Sequence, residues 1–231
     1  MCIEPAPILY EDNHLLVVNK KAGQIVQGDK TGDRPLSELF KDFIKLRDHK
    51  PGNVFLGVPH RLDRPVSGVL LLAKTSKALE RLNESIRQRQ LQKTYWAITR
   101  HAPARGQDRL VQYLTKNEKQ NKSYVCQATD PGAQRAELSY RLLGSSDNYF
   151  LLEVRLHTGR HHQIRAQLAA MGCPIQGDLK YGDKRSNPDG SISLHARSLH
   201  LVHPVRQTPL ELVAPVPDHV LWKHFEREQS S

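Results

Sequence analysis

Long apolar runs, paired cysteines, tandem repeats and low-complexity tracts are all missing from this 231-residue chain. No stretch approaches the ~20 apolar residues needed to cross a bilayer. The longest, Gly68 to Ala73, has the length of a strand. The three cysteines, Cys2, Cys126 and Cys173, are odd in number and scattered. They offer no disulfide framework and no CxxC pair for zinc, so a reducing cytoplasm is the expected setting. No basic segment followed by an apolar one opens the chain, so no export signal is expected. HExxH and GxSxG are absent, and Gly23, Gly28 and Gly32 are too dispersed to cradle a phosphate. Two histidine groups, His157/His161/His162 and His195/His200/His203, have no cysteine at ligand spacing, so no metal is expected.

What is present in excess is positive charge. Lys and Arg total 34 against 24 Asp and Glu, a net of +10. The excess is uneven: residues 1–60 balance eight basic against eight acidic groups, whereas 85–125 carry nine against two and 155–206 eight against three. A cationic surface assembled from two separate stretches suits a polyanion, because each phosphate contact releases condensed counterions.

With 38% hydrophobic and 25% charged residues, the chain has the composition of a folded protein. Ile8–Tyr10 and His14–Val18 read as short strands around the Glu11-Asp12-Asn13 turn. Leu36, Leu39, Phe40 and Phe43 recur at helical spacing, which predicts a helix over 36–47. A buried strand over 68–73 precedes a helix capped by Thr75 or Ser76, with Leu79, Leu82 and Ile86 on one face. Strands are expected at 93–100, 109–114, 122–128, 136–143 and 149–157, then a helix over 160–171 ending at Gly172. A strand over 193–203 and a short helix over 218–225 complete the pattern. Many consecutive strands with few helices predict an α+β fold: a mixed, largely antiparallel sheet with flanking helices. Short gaps between elements predict one domain over 1–231, with its core at about 6–217.

The segment His60-Arg-Leu-Asp-Arg-Pro-Val-Ser-Gly68 is the most informative. It sets one carboxylate, Asp63, between Arg61 and Arg64, directly ahead of an apolar strand. Pro65 restricts the backbone and Gly68 frees it, which marks a shaped loop. This loop resembles the HRLDxxTSG motif of the RluA-like family of RNA pseudouridine synthases, with Val66 where Thr is usual. The likeness recurs in family order. Ile8 to Gly23 is similar to the opening hairpin, with Lys21 where Pro is common, and Lys93-Thr-Tyr-Trp-Ala97 looks like the KxYxA strand. Thr158 to Arg165 looks like TGRxHQIR, with Gln167 where His often stands. Gly177-Asp178 with Tyr181-Gly182, and Leu194–Arg197 with His203-Pro204, match the closing motifs.

The resemblance implies an isomerase that breaks the C1′–N1 bond of a uridine in RNA and rejoins the base through C5. No redox cofactor is needed. Asp63 matches the single aspartate of the family, acting at C6, at C1′, or as a base in glycal formation. Arg165 matches the arginine that pairs with that aspartate, since a nearby guanidinium favours the ionised carboxylate. Tyr95 matches the tyrosine that packs on the target base. Arg61 matches an arginine that fills the gap left by the extruded nucleotide. His60, Arg64, Lys93, Arg160 and His162, in the same motifs, are implied as further RNA contacts. The implied partner is transfer or ribosomal RNA, with no membrane and a monomeric enzyme. Because the resemblance begins at about residue 6, a separate N-terminal RNA-binding domain is not expected. The competing expectation is an inactive RNA-binding protein that keeps the fold.

Overall fold

Alternating and continuous apolar runs settle into ten strands and four helices in the computed structural model, which describes residues 5–28 and 32–230. In chain order these are β1 (Ile8–Glu11), β2 (Leu15–Lys20), α1 (Leu36–Arg47), β3 (Ser67–Ala73), α2 (Ser76–Arg87), β4 (Gln92–Thr99) and β5 (Gln107–Asn117). Then come β6 (Lys122–Cys126), β7 (Gln134–Ser145), β8 (Phe150–Leu156), α3 (Gln163–Ala170), β9 (Leu194–Val202), β10 (Pro209–Val213) and α4 (Val220–Ser230). A short 3-10 turn covers Leu179–Tyr181. The fold is α+β with mostly antiparallel strands, as expected. The chain divides into two compact units, one holding the segment up to Leu91 with Ala196–Pro215, the other Gln92–His195 with the segment from Val216.

In the first unit β1 pairs with β2, β2 with β3, and β10 with β9, each antiparallel, and β3 lies beside β9. β3 is buried along its whole length, which is why it reads as an unbroken apolar run. Leu15, Val17, Val69 and Leu71 pack with Leu82 of α2 and with Leu199 and Leu212. Burying each such side chain contributes about 1.5–3 kcal/mol. α1 has the expected bounds and buries Leu36, Phe40, Phe43 and Ile44. The Thr75 hydroxyl caps α2 by accepting from the Ala78 N–H at 3.2 Å.

The β1–β2 turn is anchored by Asp12. Its Oδ1 accepts the N–H groups of His14 and Leu15 at 2.7 and 2.8 Å. Its Oδ2 lies 2.9 Å from His203 Nε2, whose Nδ1 accepts two backbone N–H groups, so the ring proton sits on Nε2 and points at the carboxylate. Burial pushes the Asp12 carboxyl up, but these donors, with Tyr10, outweigh it and hold it at about 2.

In the second unit the strand order is β4-β8-β7-β5-β6, antiparallel throughout. One face packs α3 through Leu114, Ala136, Ala166 and Tyr181. The other is roofed at its β4 end by α4, whose Trp222 and Phe225 cover Trp96, Ile98 and Leu151. α3 starts three residues later than the spacing predicts. His162 takes a left-handed conformation (φ 52°), and the Gln163 side chain accepts from the Arg160 N–H and the Thr158 hydroxyl, which holds 158–162 as a turn. β10 was not expected from the sequence. It is short and begins with Pro209, a residue tolerated at the first position of a strand. Cys126 and Cys173 are free thiols, and Cys2 lies outside the described residues.

Candidate active site

The Asp63 loop is built on a buried lysine. β2 ends at Lys20, whose side chain is fully buried although it carries an ammonium. Its Nζ donates to the carbonyl oxygens of Lys21 at 3.0 Å, Arg64 at 3.2 Å and Val66 at 2.6 Å. The last two acceptors follow Asp63 in the same turn, so the ammonium clamps the turn that presents the carboxylate. Burial pushes the Lys20 pKa down to about 7, against the upward pull of Asp63. The turn closes with the Val66 N–H on the Asp63 carbonyl at 3.1 Å, and the Gly23 N–H binds the Arg64 carbonyl at 2.8 Å. Val66 is buried, so the family's usual Thr is replaced here where an apolar side chain fits. Asp63 itself is half-buried.

The loop leads into β3 through Gly68 at φ 115°. A Cβ there would lie 2.3 Å from the Ala196 carbonyl oxygen of β9, so only glycine admits this approach. His60 Nε2 accepts the Leu71 N–H at 3.1 Å, which makes the ring part of the β3 framework. Arg64 pairs with Asp33 at 2.7 Å, and Arg61 is exposed.

The second unit holds the other expected residues. Arg165, on α3, is buried and makes a bidentate pair with buried Asp178, Nε to Oδ2 at 2.7 Å and Nη2 to Oδ1 at 2.9 Å. The Tyr181 ring lies 5.0 Å from the guanidinium carbon and also 5.0 Å from Lys122 Nζ. The Tyr181 hydroxyl accepts the Ser123 N–H at 2.8 Å and shares a hydrogen bond with His162 Nδ1 at 3.0 Å. Burial, then the Arg165 charge, push His162 down to about 2. The ring is therefore neutral and buried, and it offers a phosphate no charge. Its place is in the support of Arg165. Asp178 and Tyr181 were legible only as motif letters, and their role as Arg165 partners was missed. Lys20 was missed too, although a lysine closing an apolar strand was a visible oddity.

Tyr95 lies buried on β4. Register places it opposite Val154, which faces Tyr140, and these share the sheet face of Ala136 and Leu114, the face that packs α3. Tyr95 and Arg165 thus belong to the same side of this sheet. Lys93, two residues earlier and on the same face, has its pKa pushed down by burial. Arg160 is exposed, with Nε on the Arg135 carbonyl at 3.0 Å. Among the described residues no group of three His, Cys, Asp or Glu side chains is placed to hold a metal. His157 and His161 instead bond Ser139 and Ser123, each at 2.8 Å.

Residues 14–170 match the family described as RNA pseudouridylate synthase. The chain is 34% identical over 221 residues to the ribosomal large subunit pseudouridine synthase C of Vibrio cholerae, covering 92% of this chain and 66% of that one. It is 35% identical over 228 residues to the tRNA pseudouridine synthase C of Pectobacterium carotovorum, covering 90% and 58%. The chain therefore spans about two thirds or less of these two relatives. Among solved structures, the human RNA pseudouridylate synthase domain containing 4 superposes with a TM-score of 0.79 at 26% identity, covering 97% and 93%.

Proposed function

The chain belongs to the RNA pseudouridylate synthase family, and on that premise we propose that it isomerises uridines of structured RNA, transfer or ribosomal, to pseudouridine. The observation that carries the reading is the HRLDRPVSG loop, which presents Asp63 on a turn clamped from inside by Lys20. In the reaction the C1′–N1 bond breaks, the uracil turns, and C5 bonds to C1′. The C5 hydrogen leaves as a proton and N1 gains one, so no electrons are exchanged and no redox cofactor is required. Asp63 serves as nucleophile at C6 or C1′, or as the base for glycal formation. Every route needs a site from which bulk water is excluded, because water would capture the sugar cation.

Tyr95 supplies an aromatic face for the uracil, a contact worth about 1–3 kcal/mol. Arg165 serves the charge of Asp63, and Asp178, Tyr181 and His162 fix its orientation. The target base must leave its stack, since C1′, C5 and C6 are out of reach inside a helix. Arg61 fills the space it vacates, while Arg64, Lys93 and Arg160 add positive charge for the phosphates. His60 braces the loop. The protein works as a monomer in the compartment of its RNA, the cytoplasm.

Asp63→Asn tests the assignment. The variant is expected to lose tritium release from RNA containing 5-tritiated uridine while still binding that RNA. Retained release would remove Asp63 from the chemistry. Binding by the parent protein without any base conversion would favour the inactive RNA-binding alternative.

A further inference from the structure

Beyond the end covered by α4, the face of the second unit's sheet turned from α3 carries an arginine array that the isomerisation chemistry does not use. Register puts Arg109 of β5 opposite Ser139 of β7, and Ser139 opposite Arg155 of β8. Arg141 and Arg135 share that face at even spacing along β7. It is the face turned away from α3 and therefore away from Arg165 and Tyr95. Two carboxylates are sunk beneath the guanidinium groups. Glu137 takes Arg109 at 2.7 Å and Arg135 at 2.5 Å, and Glu153 takes Arg155 at 3.2 Å and Arg141 at 3.4 Å.

The exposures decide what this arrangement is for. The two carboxylate side chains are only 4% and 16% exposed, whereas the four arginines lie between 43% and 65%. Each guanidinium has five N–H donors; Arg109 gives Glu137 two of them and Arg141 gives Glu153 one, while Arg135 and Arg155 stand beside their carboxylates as ion pairs. The carboxylates gather the guanidinium groups from below, and the four arginine side chains stay open to solvent. Each trio keeps one net positive charge. Along β7, Arg135 and Arg141 are about 20 Å apart by strand rise, and β5 and β8 are about 10 Å apart, so the array is long enough for a run of several phosphates. Planar forks presented side by side on a sheet suit phosphate oxygens, which they meet in pairs. A solvated surface tuned for solubility alone has no need of carboxylates sunk under its cations.

The geometry points to a second RNA-binding surface: Arg109, Arg135, Arg141 and Arg155 bind the phosphate backbone of the RNA at a site apart from the target nucleotide. The occupant is committed by charge complementarity, and by the reading that the chain acts on RNA, on which this inference rests.

Two trio variants, their combination and a charge-keeping variant test it. One carries Arg109→Gln, Arg135→Gln and Glu137→Gln, the other Arg141→Gln, Arg155→Gln and Glu153→Gln. Each removes a whole trio, so no buried carboxylate is left without a partner. A four-site Arg→Lys variant keeps the charge. The probes are unfractionated transfer RNA and a short stem-loop, with affinity measured against salt concentration. Combining both trios is expected to make the slope of log affinity against log salt shallower by about 3 on transfer RNA, and to weaken binding about tenfold or more. The Lys variant is expected to keep most of the slope, and stem-loop binding to change little. Unchanged affinity and slope in each trio variant would overturn the proposal and leave the array to pairing within the sheet. Loss on the stem-loop as large as on transfer RNA would overturn it as a separate surface. Because the readout is binding, a parent protein that forms no pseudouridine would sink the proposed function without deciding this one.

Discussion

An ammonium with no access to water is costly unless its hydrogens are all placed, and Lys20 places its three on three carbonyl oxygens around the Asp63 turn. The apolar strand that delivers it was legible in the sequence. The role of the lysine was not, because two of the acceptors lie 44 and 46 residues away along the chain. Lys20→Met keeps the length and apolar stem but removes the donors. It is expected to lower stability by about 1–3 kcal/mol, the cost of leaving the buried contact at the Val66 carbonyl without its donor. The pH dependence has a definite sign. The folded pKa of about 7 lies below the ordinary 10.5, so between those values the unfolded chain holds the extra proton. Stability from this group therefore rises with pH across that window, and the cost of burying the charge is fully present below about 7. Urea unfolding of parent and Met variant across the window is expected to show their difference growing with pH. Parallel curves would mean that Lys20 titrates as it does in water.

At the scale of elements, local pattern was a good guide wherever one face meets one core. α1 appears with the predicted bounds because Leu36, Phe40 and Phe43 mark its buried stripe without ambiguity. α3 was placed early because the sequence carries no sign that His162 turns left-handed or that Gln163 folds back on the turn. β10 was missed because a five-residue strand opening with proline has no local signature, and its partner β9 supplies the order. The same non-local logic governs Gly68. As a motif letter it predicted a freed backbone. What it permits is the close passage of β3 against Ala196 of β9, where a Cβ would meet backbone atoms at 2.3, 2.6 and 2.7 Å. Neither strand yields easily, since β3 is also tied to β2 from Gly68 to Ala73. Gly68→Ala is expected to lose at least about 3 kcal/mol, combining left-handed strain with the clash. Thermal unfolding checks this, and a loss under about 1 kcal/mol, the ordinary effect of a single substitution, would show that the strands part freely.

Across the whole molecule, counting charges along the sequence foresaw a cationic protein but not where the cations go. Arg165 and Arg109 both lie in basic stretches, yet one is buried on Asp178 and the other is raised on an exposed sheet. Arg109 is placed by its register on the sheet face turned from α3, and Arg165 by α3, which packs on the opposite face. The chain also forms two compact units, each made of two separate chain segments. The first unit's core needs Leu199 and Leu212 beside Leu15 and Leu71, and the second unit's needs Trp222 and Phe225 beside Trp96 and Ile98. Removing residues 216–231 therefore takes core from the second unit alone. Loss of Trp222 and Phe225 should cost about 3–5 kcal/mol each, and it uncovers Trp96, Ile98 and Leu151. Amide hydrogen exchange of that truncated chain is expected to accelerate in β4 and β8, while β2 and β3 keep their protection. Equal acceleration in all four strands would show that the two cores open as a single cooperative structure.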